Sequence, residues 1–278
     1  MDEQAVQRLR AEVVARKNLP TIPTVLAKIL QLVDSESSSG RDLIAVIEHD
    51  QALTGKMLRL ANSAFFGQSR KVATIPRAVV LLGFSTVRNL ALGVKVWDAL
   101  GNGIAKTRLE ELWSHAVAVA AAGRSLATRL GGGDPDEAFT AGLLHDVGRL
   151  VLAMRFRDDY WRAVGGAHEG GDLETLEREL VGVDHAEVGA WILEAWSLPP
   201  GIIEAVRAHH GDTTQPGVPG VLALTDRLIG LTDLGSGAVR PEAEALLGTG
   251  GLTLAGWHDV LQQLRDGGEI AALAALDD

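Results

Sequence analysis

The stretch "AFTAGLLHDVGRLVL", residues 138–152, sets a His-Asp pair in the middle of an apolar segment. Leu143, Leu144, Val147, Leu150 and Val151 surround His145 and Asp146, so the pattern predicts a helix with at least one buried face and the pair inside it. A buried carboxylate is costly unless charges or hydrogen-bond donors meet it, so this one needs partners from elsewhere in the chain. Just upstream, "DPDE" offers Asp134 as N-cap, Pro135 at the first helical position and Glu137 three residues after the cap. Before it, "LEELWSHAVAVAAAGRSLATRL" reads as a long helix stopped by "GGG". After it, helices are expected over 173–181, 185–196, 200–210 and 219–233.

The same periodicity runs through the first third of the chain. In "TIPTVLAKILQLV", Ile22, Val25, Leu26, Ile29, Leu30 and Val33 recur at helical spacing, with Pro23 suited to the first turn. A short helix, "RDLIAVIEH", leads into "DQALTGKMLRLANSAFF", whose Leu53, Met57, Leu58 and Leu60 are core candidates. Two helices are expected to meet near Gly83, with Ser85 capping the second. Residues 101–107, "GNGIAKT", read as a hinge, and 234–251 as a mobile connection before a last helix around 257–265 and an Ala-rich tail. Nothing alternates with period two, so the expected fold is all-α. The expected division is an N-terminal helical lobe (1–105), a second helical lobe (106–235), and a C-terminal connection and helix (236–278).

Composition narrows the chemistry. Apolar residues make up 46% of the 278 and aromatics only 4%, a Leu, Val, Ile and Ala core suited to helix-on-helix packing. There is no cysteine, which excludes disulfides, thiolate metal sites and cysteine nucleophiles, so any metal must be held by His and carboxylate ligands. A formal net charge of −10 disfavours nucleic acid, and Arg77, Arg88 and Lys95 are too sparse to make a DNA-reading surface of the helices around Gly83. The start, "MDEQAVQRLR", has no secretory leader pattern, and no apolar run reaches the roughly 18 residues of a membrane span. A cytoplasmic protein with no membrane partner is expected.

The His-Asp dipeptide occurs three times. Asp50 of His49-Asp50 directly precedes "QALTGKML" and reads as an N-cap carboxylate. His258-Asp259 lies near the start of a late helix and has no companion at helical spacing. His145-Asp146 has companions: His115 in the preceding helix, His185 at the start of a later one, His209 and His210 at the end of another, and Asp226 in "LALTDRLIG". Five of the eight histidines stand in this region at helix positions able to converge, and a His/Asp metal cluster accounts for them better than coincidence does. Adjacent helical residues point about 100° apart. His209 and His210 therefore do not both face one atom from mid-helix: beside Gly211 they serve two sides of a binuclear site if the helix ends there, or one of them only supports the ligands from behind.

These segments together resemble the HDOD family, the HD-related output domain of bacterial signalling, a relative of the HD and HD-GYP phosphohydrolases. The resemblance covers roughly residues 19–230 and rests on "LPTIPTVLAKILQLV", "DQALTGKMLRLANSAFFG", "IPRAVVLLGFSTVRNLAL", "LWSHAVAVAA", the opening stretch, "GVDHAEVGAWILEAWSLP" and "AVRAHH". It implies a two-lobed helical HDOD fold. By motif position it also implies metal ligation by His115, His145, Asp146 and Asp226, joined by His185, His209 and His210 as in HD-GYP proteins. Two departures stand out. The hydrolases commonly carry Lys where this chain has Arg149, and the Gly-Tyr-Pro motif is replaced by "GDTTQPGVPG"; the only tyrosine, Tyr160, lies elsewhere.

Two functions follow as expectations. The first is a regulatory signalling module that binds a partner protein or a small phosphorylated ligand, with a divalent metal (Fe, Mn or Zn) and no turnover. The second is a metal-dependent phosphohydrolase, with Asp146 in the catalytic centre and Arg149 steadying the phosphate. In the N-terminal lobe, Asn62 and Ser63 read as polar residues closing backbone groups at a helix end.

Overall fold

A computed structural model describes residues 3–14, 23–34, 39–62, 71–232, 242–249 and 251–266, and every regular element among them is a helix. The helices are α1 (Glu3–Val14), α2 (Thr24–Asp34), α3 (Gly40–Glu48), α4 (Gln51–Ala61), α5 (Ile75–Leu82) and α6 (Phe84–Leu100). They continue as α7 (Lys106–Leu130), α8 (Pro135–Leu144), α9 (Val147–Arg155), α10 (Arg157–His168) and α11 (Leu173–Leu180). The last are α12 (His185–Ala195), α13 (Pro200–Ala208), α14 (Val218–Gly230), α15 (Glu242–Thr249) and α16 (Leu254–Asp266). The all-α expectation holds.

Helices α2 to α6 pack on one another, burying Leu26, Ile29, Leu43, Ile47, Leu53 and Met57. Leu58 is half-buried at the edge of this core; the side chains of Val33 and Leu60, and all of Ile22 and Ser63, lie outside the described residues. Asn62 does close backbone groups: its amide donates to the carbonyls of Leu58 and Val72, each at 2.7 Å, and its oxygen accepts from the Val72 N–H at 2.6 Å. Asp50 caps α4 through the Leu53 N–H at 3.0 Å and also pairs with Lys95 of α6 at 2.9 Å. At the α5–α6 junction the expected cap does not form. Gly83, at φ 85°, ends α5 and α6 starts at Phe84, which puts Ser85 inside the helix. Only glycine adopts that backbone without strain, so the turn is made before Ser85 is reached.

The second group is built around α7, the longest helix, closed by Gly131 in the left-handed conformation. Its alanine run presents almost no side chain, and α8 lies so close that a Cβ on Gly142 would sit 2.5 Å from the Ala120 Cα. Helices α9, α12, α13 and α14 complete this layer, with α6 packed on α8 and α9 from the other side. Asp134 caps α8 as expected, accepting from the Asp136 and Glu137 N–H groups at 2.7 and 3.0 Å. Three elements depart from the sequence reading. Helices α1 and α10 form where none is expected, α1 lying against α12 with Arg10 on Glu194 at 2.5 Å. Part of the expected mobile connection is helix α15, which buries Ala243 and Leu247. No single helix among the described residues is long and apolar enough to cross a membrane.

Candidate metal centre

The deciding stretch is not one helix. α8 stops at Leu144, His145 and Asp146 occupy the break, and α9 begins at Val147. This corrects the expectation of a pair inside a continuous helix. Asp146 stands at φ −96°, ψ 6°, in the bridge region, and His145 turns its Nδ1–H onto the Gly142 carbonyl at 2.7 Å. The neighbouring carbonyl, Leu143, accepts from the indole Nε1–H of Trp97 at 2.8 Å. Two of the orphan carbonyls at the end of α8 are thus satisfied by side chains, which lets the chain change direction in the core. Past the break, Gly148 lets α9 meet α12 backbone to backbone, since a Cβ there would overlap the His185 carbonyl.

This geometry brings all seven expected ligand residues together. His115 comes from α7, His145 and Asp146 from the break, His185 from the first turn of α12, and Asp226 from α14. His209 and His210 follow α13, which ends at Ala208, so the chain turns there and both rings face the cluster with centroids 3.9 Å apart. His115 Nε2 lies 2.9 Å from Asp226 Oδ1, and His145 Nε2 lies 3.4 Å from the same oxygen. His185 Nε2 is 3.3 Å from Asp146 Oδ1 and 2.8 Å from His210 Nε2. Three overlapping sets place their ligand atoms within 4.8 Å of one another: His185, His209 and His210; His115, His145 and Asp146; His145, His209 and Asp226. His145, Asp146, His185 and His209 are buried, whereas His115, His210 and Asp226 are partly exposed and form the open side.

The donor chemistry suits a cation. His209 donates through Nδ1 to the Val206 carbonyl at 2.6 Å, so its Nε2 carries a lone pair, and that atom is buried with no hydrogen-bond partner. His145 is anchored the same way, and its Nε2 likewise has no hydrogen-bond partner. Fixing Nδ1 on an acceptor while presenting Nε2 inward is how proteins hold imidazole ligands for metals. Burial, reinforced by His210, His145 and His185, drives the His209 pKa well below the usual histidine range. Burial and His185 bring His210 down to about 4. Burial also pushes down on His145, but Asp146 and Asp226 outweigh it and raise its pKa to about 9. Both aspartates resist burial and stay well below the carboxylate range, Asp146 chiefly through Arg149 and His145, Asp226 through His115 and His145. The cluster therefore sets two ionised aspartates beside the neutral rings of His209 and His210.

Three residues join the site that the sequence reading left out. Glu177 of α11 is fully buried and accepts from His185 twice, from its backbone N–H at 2.8 Å and from Nδ1–H at 2.7 Å. Glu174, one turn earlier, sits 3.2 Å from His210 Nδ1. Tyr160 of α10 accepts from Arg149 Nε at 3.1 Å, while Arg149 Nη1 holds Asp146 Oδ2 at 2.9 Å. A signal for Glu177 exists: Leu173, Leu176, Glu177 and Leu180 fall on the apolar face of α11, and an acid in that row needs a buried partner. The other His-Asp pairs stay apart. His49 Nδ1 donates to the Ala45 carbonyl at 2.8 Å, and Asp259 on α16 stands 3.7 Å from Arg129.

The fold and the site define a helical protein with five histidines and two aspartates gathered at a buried helix break. The chain matches the HDOD domain model over residues 19–211 and belongs to the HDOD family. It is similar to a candidate phosphohydrolase of Shewanella amazonensis SB2B, at 27% identity and a TM-score of 0.78, covering 95% of this chain and 97% of that one. An HDOD domain protein of unknown function from Geobacter sulfurreducens shares the fold at 24% identity and a TM-score of 0.77, covering 99% of each chain. An uncharacterized protein of Treponema pallidum (strain Nichols) is 28% identical over 199 residues, 69% of this chain, which spans only 38% of that relative's length.

Proposed function

We propose that this chain is a regulatory signalling module that binds a divalent metal at the His/Asp cluster, signals by binding a partner protein or small ligand, and carries out no turnover. His115, His145, Asp146, His185, His209, His210 and Asp226 would hold the ion (Fe, Mn or Zn), with Glu177 fixing the ring of His185. The observation that carries the reading is the position of Arg149. It stands where the related hydrolases keep a phosphate-facing Lys, yet its Nε is held by Tyr160 and its Nη1 by Asp146. A guanidinium held as the counter-charge of a ligand carboxylate has less charge and fewer donors to offer a phosphate. The nearby Arg227 is likewise engaged, on the His210 and Gly211 carbonyls at 2.8 Å each.

A phosphohydrolase is the second reading, favoured by the full ligand set and the likeness to the Shewanella protein. A bound metal would supply Lewis-acid activation of water. In that case Arg149 would meet a substrate with the N–H donors that Tyr160 and Asp146 leave over. One experiment separates the two. Untagged protein purified without chelator is offered Mn, Fe and Zn, its metal content measured beside Asp146→Ala, and both are tested on phosphomonoesters and cyclic nucleotides. The expected result is near-stoichiometric metal, lost in the variant, with no turnover. Turnover abolished by Asp146→Ala moves the protein to the second reading, and no metal under any condition ends both.

A further inference from the structure

A second cavity lies away from the cluster, between the start of α7 and the pair α9–α10. It is an open cleft of about 520 Å³ whose lining includes Ile104, Arg108, Ala153, Trp161, Val164 and His168. That volume is in the range of sites for small organic molecules, on the order of 300–1,000 Å³. Its lining side chains are apolar apart from Arg108 and His168, and no carboxylate lines it. In a chain of net charge −10 an acid-free cleft with a fixed guanidinium runs against the average of the surface.

Arg108 is placed for an exchange of partners. Its guanidinium stacks over the Trp161 ring at 5.6 Å, which holds it at the mouth. Its acidic partner is Glu111, one turn along the same helix at 3.3 Å, and the two side chains are 48% and 66% exposed. A solvent-exposed i,i+3 pair of this kind is weak and readily replaced. A carboxylate that arrives with a flat apolar body would meet the same guanidinium while covering Trp161, Ile104 and Val164.

We propose that this cleft is a binding site for a small organic anion with a planar apolar body, of the aryl carboxylate class. Arg108 takes the charge, and Trp161 with the apolar walls takes the body. The cleft is joined to the His/Asp cluster by a continuous run of contacts. Trp161 packs edge-on against Tyr160 at 5.0 Å, Tyr160 holds Arg149, and Arg149 holds Asp146. Ala153 of the cleft wall lies one turn beyond Arg149 on α9. An occupant therefore lies against Trp161, three contacts from Asp146, without entering the cluster. The binding proposal itself does not depend on any metal being held there.

The test uses the full chain and 2-naphthoate as probe, followed by titration calorimetry and ligand-observed NMR. Acetate and neutral 2-naphthamide serve as comparators, and the variants are Arg108→Gln and Trp161→Leu. One equivalent of naphthoate is expected to bind, more tightly than either comparator. Arg108→Gln is expected to weaken naphthoate by about tenfold and to leave the amide unchanged, the difference expected for one charge-assisted contact. Trp161→Leu is expected to weaken both aromatic probes. Naphthoate that does not bind, or that binds wild type and Arg108→Gln equally, overturns the proposal. So does an amide that binds as tightly as the acid.

Discussion

Among the described residues the Glu177 side chain hydrogen-bonds only His185. Its Oε2 takes both the ring and the backbone N–H of that residue, and its Oε1 has no hydrogen-bond partner. This pairing opposes burial and raises the His185 pKa. Glu177→Gln keeps the shape but removes the charge, so the His185 ring loses its orientation and part of its basicity. Metal affinity is expected to fall about 10- to 100-fold, measured by competition with a chromophoric chelator, with the helical signal unchanged. An affinity equal to wild type would show that Glu177 is only a buried structural acid. At this scale the sequence was legible where residue type carries the chemistry. Five histidines and two aspartates in a chain without cysteine could be gathered from spacing and resemblance alone. Tyr160 and Glu174 could not, because each depends on which turn of a distant helix lands beside the site.

Helix positions could be read wherever apolar period and caps agree, as in α2, α7 and α8. The break between α8 and α9 was hidden, because "LLHDVGRLVL" keeps a helical period straight through it. The turn is imposed from outside by Trp97 and by the contact of Gly148 with α12, and no local pattern records either. Helix α10 is masked in the sequence for a related reason: Gly165 and Gly166 lie inside it, where glycine usually marks a loop. These two kinds of glycine predict opposite outcomes. Gly148→Ala forces α9 from α12 and is expected to cost about 3 kcal/mol or more in urea unfolding, the upper end of overpacking effects. Gly165→Ala meets nothing within 4 Å and is expected to be neutral or to stabilise by up to about 1 kcal/mol. Equal midpoints for the two variants would contradict the close α9–α12 contact.

Across the whole molecule, α6 is the element that joins the N-terminal helices to the site. Asp50 and Lys95 tie it to α4, Lys56 bonds Asp98 at 2.6 Å, and on the other side Trp97 reaches Leu143, two residues before His145. Trp97→Phe keeps most of the packing but leaves a buried carbonyl without its donor. The expected cost is about 1–3 kcal/mol of global stability, read from denaturant unfolding, together with weaker metal binding. Loss of stability with unchanged metal affinity would mean that the N-terminal helices support the fold but do not position the cluster. The helical composition of the molecule was readable. The packing of the N-terminal helices on the site was not, because it passes through α6 contacts between positions far apart in sequence, among them Trp97 on Leu143, Asn89 on the Asp136 carbonyl at 3.2 Å and Arg124 on Thr86 at 3.0 Å.

The glycines at 142 and 148 carry one more consequence, for inheritance. Every residue that a point change in a glycine codon can introduce brings at least a Cβ, and at both positions that atom meets backbone, which cannot step aside. Lineages descending from this protein can therefore vary these two positions only by also moving a helix. The cleft beside Trp161 has no such restriction, since exposed residues such as Ala105, Arg108 and His168 line it and can be exchanged one at a time. The cluster would then be passed on nearly unchanged, while the cleft is free to be retuned to a new molecule in each descendant.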